Sequence, residues 1–220
     1  MDANYNLSGL TDRIKARLKD AQYSDTDIQQ FINDAYFDIL GDSAYQFLER
    51  CYKATTQQGD SLLLPPDFQS VIHFTSNIDH GKHPFRYVDS RQFFDNKKDS
   101  SINNYTYTIF GNKLIYSLPN VSDEEEDGEE KFYELDLYYL AKPRTLVNST
   151  DVPVIPYEFG EALLLGALAR AEQLRDNFDY AQIYENKKEE IVTNMKIRYC
   201  PRQQEGENRA KLPVFQMLRH

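Results

Sequence analysis

Lys131 to Leu140 reads KFYELDLYYL. Phe132, Glu134, Asp136 and Tyr138 alternate with Tyr133, Leu135, Leu137 and Tyr139, the period of two expected of a half-buried β-strand. The strand matters because of what runs into it. Ser122 to Glu134 reads SDEEEDGEEKFYE, and counting from Asp123 places acids at positions 1, 3 and 5 (Asp123, Glu125, Asp127), Gly128 at 6 and Glu134 at 12. Apart from Glu at position 3, that is the spacing of a calcium-binding EF-hand loop. Such a loop hangs between an entering and an exiting helix, whereas Lys113 to Leu118 before it and Lys131 to Leu140 after it read as strands. Position 8, where paired loops need an apolar residue, is Glu130. Asp123, Glu124, Glu125, Glu126, Asp127, Glu129 and Glu130 are therefore read as an acidic hairpin tip, since runs of like charge repel and face water, with Gly128 serving the turn.

Outward from this strand the period-two pattern continues towards the amino-terminal side. Phe47 to Thr55, Ser61 to Leu64, Val71 to Phe74 and Phe85 to Val88 read as strands, and Asn104 to Phe110 and Lys113 to Ser117 flank Gly111-Asn112, a tight hairpin signal. Helical patterns bracket this region. Leu10, Ile14 and Leu18 repeat every four residues. Ser24-Asp-Thr-Asp27 reads as a capped helix start, followed by Ile28, Phe31, Ile32, Ala35, Tyr36, Ile39 and Leu40, with Gly41 expected to close it in a left-handed cap. Beyond Pro143, Pro153 and Pro156, Phe159 to Ala169 is apolar almost all round, as in a central buried helix. Phe178 opens a last helix whose buried face is expected at Ile183, Tyr184, Lys187, Ile191 and Met195, stopped by Pro201. The expected fold is α+β: a helical bundle formed by the N- and C-terminal helices (1–44 and 146–200), a central antiparallel β insertion (45–145) and an extended C-terminal arm (201–220).

Composition narrows the function. A chain of 220 residues, 40% hydrophobic, builds a real core, and a net charge of −10 argues against a broad phosphate-gripping surface. The first two helices could form a helix-turn-helix, but the second carries Asp25, Asp27, Asp34 and Asp38 and no Lys or Arg, so it would repel DNA. Cys51 and Cys200 lack metal or redox spacing and read as reduced thiols, Cys51 as a buried one. The start of the chain has no leader pattern, and no run is apolar enough to span a membrane. Four N-x-S/T sequons, at Asn6, Asn104, Asn120 and Asn148, carry no weight without a secretory route. Phosphate-loop, dinucleotide, nucleophile-elbow and zincin motifs are absent. His80-Gly-Lys-His83 reads as a surface turn rather than a metal pair, and His73 as a core or interface residue. No catalytic residue, metal ligand or cofactor is expected.

The order of these features resembles the head-to-tail adaptor proteins of tailed bacteriophages. The likeness runs from SDTDIQQFINDAYFDIL (24–40) through GDSLLLPPDFQSVIHF (59–74) and YTIFGNKLIYSLPN (107–120) to YELDLYYLAKPRTL (133–146) and a terminal helix pair, over about 24–195. Its clearest marks are D-I-x-x-F-I-N-D-A at Asp27 to Ala35, L-L-P-P-D-F at Leu63 to Phe68 and L-Y-Y-L-A-K-P at Leu137 to Pro143. The acidic tip, and Tyr45 and Phe47 where the family has Trp, depart from the pattern. The resemblance implies a virion structural protein, made in the host cytoplasm, that forms a ring of about twelve copies beneath the portal. The ring would extend the DNA channel and receive a downstream tail or stopper protein, with DNA passing through without sequence-specific binding and no membrane involved. The acidic tip would then face the lumen or solvent, and Tyr133, Leu135, Leu137 and Tyr139 would form a subunit interface. Past the polar RQQEGEN (202–208), Leu212, Val214, Phe215, Met217 and Leu218, with Arg219, read as an arm that docks on the portal. The alternatives are a calcium- or other metal-dependent binding module and an unrecognised hydrolase.

Overall fold

A computed structural model describes residues 5–18, 23–41, 43–57, 61–78, 81–96, 105–118 and 132–200. They fall into two compact units, one from the residues up to Leu48 together with those from Pro143 onward, the other from Glu49 to Lys142. The fold is α+β, with five α-helices and two four-stranded sheets among the described residues.

The first unit is helical: α1 (Leu7–Leu18), α2 (Asp25–Leu40), α4 (Gly160–Gln173) and α5 (Phe178–Tyr199). The start of α2 follows its sequence signal. Ser24 Oγ accepts from the Asp27 N–H at 3.2 Å, and Asp27 Oδ2 accepts from the Ser24 N–H at 2.9 Å, the reciprocal capping box. Hydrogen bonds from Ser24 hold the Asp27 carboxyl below the usual carboxylate range. Its end differs from expectation: Gly41 has φ −60°, a right-handed conformation, and its N–H continues the helical bonding to the Phe37 carbonyl at 2.7 Å.

Helix α4 is buried at every position from Ala162 to Ala169 and packs against α1, α2 and α5. Continuous apolarity requires this, since any face left in water would forfeit about 25 cal/mol per Å². Gly166 permits the close crossing with α2: a Cβ there would stand 2.7 Å from Ala35 Cβ and 3.3 Å from Lys188 Cδ. The buried face of α5 is rotated from the expected one. It carries Ala181, Lys188, Val192 and Met195, while Ile183 and Lys187 are exposed and Tyr184 and Ile191 half-buried. The cause is Lys188, whose aliphatic stem packs over Gly166 while Nζ reaches Asp38 Oδ2 at 2.6 Å and the Glu185 carboxylate. A period count that scores lysine as polar turns the helix the wrong way. Burial pulls the Lys188 pKa down, but hydrogen bonds to Asp38 and Glu185 more than offset it, leaving it above the ordinary lysine value.

The segment from Pro143 to Phe159 is irregular yet pinned. Asn33 Nδ2 donates to the Leu146 carbonyl at 3.0 Å and Asn33 Oδ1 accepts from the Leu146 N–H at 2.9 Å. Tyr5 OH donates to the Ile155 carbonyl at 2.9 Å, and the N–H groups of Leu7 and Ser8 donate to the carbonyls of Asp151 and Ser149 at 2.9 and 3.0 Å. The first-turn amides of α1, which lack helical partners, are thereby satisfied. Within the segment, Asp151 accepts from the Val147 and Asn148 N–H groups, both at 2.8 Å, and its carboxyl is held low by them.

The second unit comprises β1 (Glu49–Gln57), β2 (Ser61–Leu63), β3 (Phe68–Ile78), β4 (Gly81–Pro84), β5 (Arg86–Tyr87), α3 (Ser90–Asn96), β6 (Thr106–Phe110), β7 (Lys113–Ser117) and β8 (Phe132–Ala141). One sheet runs β1-β8-β3-β4, the other β2-β7-β6-β5. Pairing is antiparallel except β5 with β6, so the expected purely antiparallel insertion is corrected there. The reason is α3: a parallel pair needs a crossover, and this helix supplies it. Neither α3 nor β4 was expected, because α3 is a seven-residue helix and β4 is a short edge strand carrying Gly81 and Pro84, which read as a turn. Gly111, at φ 62°, opens the β6–β7 turn as its sequence indicates.

The two sheets share an aromatic core. Phe74 of β3 lies against Phe85, Tyr107 and Tyr116 with ring centroids 4.3, 5.7 and 5.9 Å away, and Leu114, Leu135, Leu137 and Tyr139 complete the cluster. Leu135, Leu137 and Tyr139 were expected at a subunit interface. They are instead buried within this unit, because the second sheet covers the face they line.

Candidate functional site

No described group of three or more His, Cys, Asp or Glu side chains is placed to hold a metal ion, and no described helix is long and apolar enough to cross a membrane. The acidic tip, Asp123 to Glu130, lies outside the described residues, but what flanks it does not. β7 ends at Ser117 and β8 begins at Phe132. Glu134, at the twelfth position of the calcium-like spacing, therefore sits inside a strand, accepting a hydrogen bond from Asn77 Nδ2 at 3.2 Å across the β3–β8 ladder. The arm residues Leu212, Val214, Phe215, Met217, Leu218 and Arg219 also lie outside the described residues, as does the side chain of Tyr133.

The outer face of the first sheet carries the residues that looked chemically suggestive. Cys51 and His73 both oppose Tyr138, from β1 and β3 respectively, around a shallow depression of about 420 Å³ also bordered by Glu49, Arg50 and Ile72. Both are exposed, which corrects the expectation of a buried thiol and of a core histidine. For His73 the cause is a register shift between Val71 and His73, which lets Val71 and Phe74 both turn to the core and pushes His73 outward. Cys51 is exposed because β1 is the edge strand of its sheet. Cys200 is also free, and burial pushes its thiol up, away from the reactive thiolate. Neighbouring Asp67 ties the corner of the sheet, accepting from Tyr139 OH at 2.9 Å and lying 3.5 Å from Arg50 Nε.

Two other surfaces are better formed, and sequence reading missed both. In the β unit, Leu63, Phe94 and Phe110 come from β2, α3 and β6 and remain 59%, 43% and 62% exposed. Phe94 and Phe110 meet edge-to-face at 5.9 Å, and Leu63 and Phe110 both pair with Lys113. Aromatics held open at a tight turn mark an interaction patch. The available signal was Phe110 standing directly before Gly111-Asn112, where a hairpin tip would be polar. In the helical unit, α1 and α5 flank α4 along a groove of about 790 Å³. Ala16, Leu165, Leu168, Tyr184 and Ile191 supply its apolar lining, while Glu161, bound to Arg17 at 2.7 Å, and the exposed Lys187 and Glu190 stand at its margins. Only packing could reveal it, since its lining is drawn from three separated helices.

These surfaces suit association with other macromolecules rather than turnover of a small substrate. No curated protein matches the chain. Residues 5–211 match the SU10 adaptor protein family. The chain, which offers two shaped apolar surfaces on a rigid frame, thus belongs to the SU10 adaptor protein family, a phage head-tail adaptor family.

Proposed function

We propose that this protein forms a ring beneath the portal of a tailed phage, extends the DNA channel and receives the next tail component. Family membership across residues 5–211 carries the reading. The charge is compatible with it: at −10 the chain would not grip the phosphate backbone, whereas a basic wall would bind DNA in a salt-sensitive way and slow its passage. With Leu135, Leu137 and Tyr139 committed to the chain's own core, contact between neighbouring copies is assigned to the Leu63, Phe94 and Phe110 patch. Residues 211–220 serve as the portal anchor, with Phe215 the principal side chain, because repetition around a ring multiplies a modest affinity per copy.

The test is co-sedimentation and electron microscopy of the purified protein with its cognate portal. Rings should form on the portal. Phe110→Asp should reduce ring completion, and deletion of 209–220 should abolish co-sedimentation while leaving the circular dichroism spectrum unchanged. Monodisperse monomers that never join the portal would overturn the assignment.

A further inference from the structure

We infer that the groove between α1 and α5 is a docking site for residues 211–220 of the same chain, occupied in the free subunit and vacated when that segment engages its partner. The inference rests on reading 211–220 as a docking segment, and three observations on this molecule direct the segment to this groove. The first is composition. The lining supplied by Leu165, Leu168 and Ile191 suits an apolar segment, and Leu212, Val214, Phe215, Met217 and Leu218 place five such side chains in ten residues. The second is reach. Ile191 lies nine residues before Cys200 on the chain, about 14 Å along helix α5. A flexible linker of the length of 201–210 spans roughly 17–19 Å on average and up to about 33 Å extended, so the segment can fold back onto the helix it follows. The third is charge. Glu190 at the groove margin is exposed and has no ion pair among the described residues, while Lys211 and Arg219 bracket the apolar run with cations.

Tethering decides whether so small a contact matters. A short flexible linker holds its two ends at an effective concentration of about 1 mM, so a segment that binds the groove with a dissociation constant of about 0.1 mM is some tenfold more closed than open. A closed groove then lowers apparent affinity for the portal by the open fraction. Free subunits would hide their apolar segment, and the portal, offering many copies at once, would draw it out.

The experiment uses the full chain. Hydrogen exchange of amides in 184–194 and tryptic cleavage after Arg209 and Lys211 are compared in the wild type, in Ile191→Glu and in Phe215→Asp. The wild type should be cleaved about tenfold more slowly than either variant, independently of protein concentration. Phe215→Asp, which leaves the groove untouched, should speed exchange in 184–194. Equal cleavage rates in all three proteins, or unchanged exchange in Phe215→Asp, would overturn the inference, and protection that grows with concentration would assign the segment to a second copy instead. Portal binding separates this inference from the function it rests on. Ile191→Glu should bind the portal about tenfold more tightly and Phe215→Asp should not bind. If Phe215→Asp still binds the portal while exchange in 184–194 rises, the anchor reading fails and the groove assignment stands.

Discussion

The two units solve the problem of burying a surface by different means. In the helical unit the fit is one of close backbone approach and directed polar pins: Gly166 against Ala35, Asn33 paired with both backbone groups of Leu146, Lys188 reaching Asp38. In the β unit the core is a cluster of rings around Phe74, and the hydroxyls of Thr75, Ser76 and Thr108 lie buried with no hydrogen-bond partner among the described residues. Helices satisfy their own backbone and can be located by a few specific contacts, whereas two sheets meeting face to face are held by area and ring geometry. The helical unit should therefore be sensitive to single polar atoms and the β unit to volume.

The largest effect expected from that contrast is at Phe74. Phe74→Ala should cost about 3–5 kcal/mol, and Phe74→Leu about half as much, in urea denaturation followed by tyrosine fluorescence and circular dichroism. A small loss would mean the rings are not packed as one cluster. Next comes Asn33→Ala, which leaves the Leu146 amide and carbonyl buried without their partner and should cost about 2–3 kcal/mol although it removes little volume. Asn33→Asp restores the acceptor alone and should recover only part of the loss.

Lys188→Met keeps the stem and removes the ammonium. It should cost about 1–2 kcal/mol at neutral pH, less than for a sealed ion pair, because Asp38 and Glu185 are open enough to hydrate when freed. The sign of its pH dependence follows from the raised folded pKa: the wild-type contribution is complete below the ordinary lysine value of about 10.4 and disappears as pH rises through the folded value. The gap in melting temperature between wild type and Lys188→Met should therefore close in strong alkali, and a constant gap would show that packing alone is lost. The smallest effect is a gain. Asp176, in the turn between α4 and α5, has φ 59°, and Asp176→Gly should stabilise the protein by about 0.5–1 kcal/mol, read as a small rise in melting temperature.

Much of the secondary structure was legible because its signals are local. The capping box at Ser24 and Asp27, the Gly111-Asn112 turn, the alternation of β8 and the all-apolar run of α4 each need only a few neighbouring residues to act. The strands on both sides of the acidic tip were equally readable, and with them the case against an EF-hand. The acidic tip and the arm, though conspicuous in the sequence, lie outside the described residues.

What needed the tertiary structure is which face of each element meets which. Sequence period shows that Leu135, Leu137 and Tyr139 line one side of β8, but the partner for that side comes from β6 and β7, in a different sheet. A register shift in β3 reverses the facing of His73, an edge position exposes Cys51, and a lysine stem over Gly166 rotates α5. The physical reason is common to all three: periodicity is a property of one segment, whereas burial depends on pairs of segments brought together over long sequence separations, and a single bulge, edge or close approach inverts it. The groove above α4 and the Leu63, Phe94 and Phe110 patch are the extreme case, since each exists only where three elements meet.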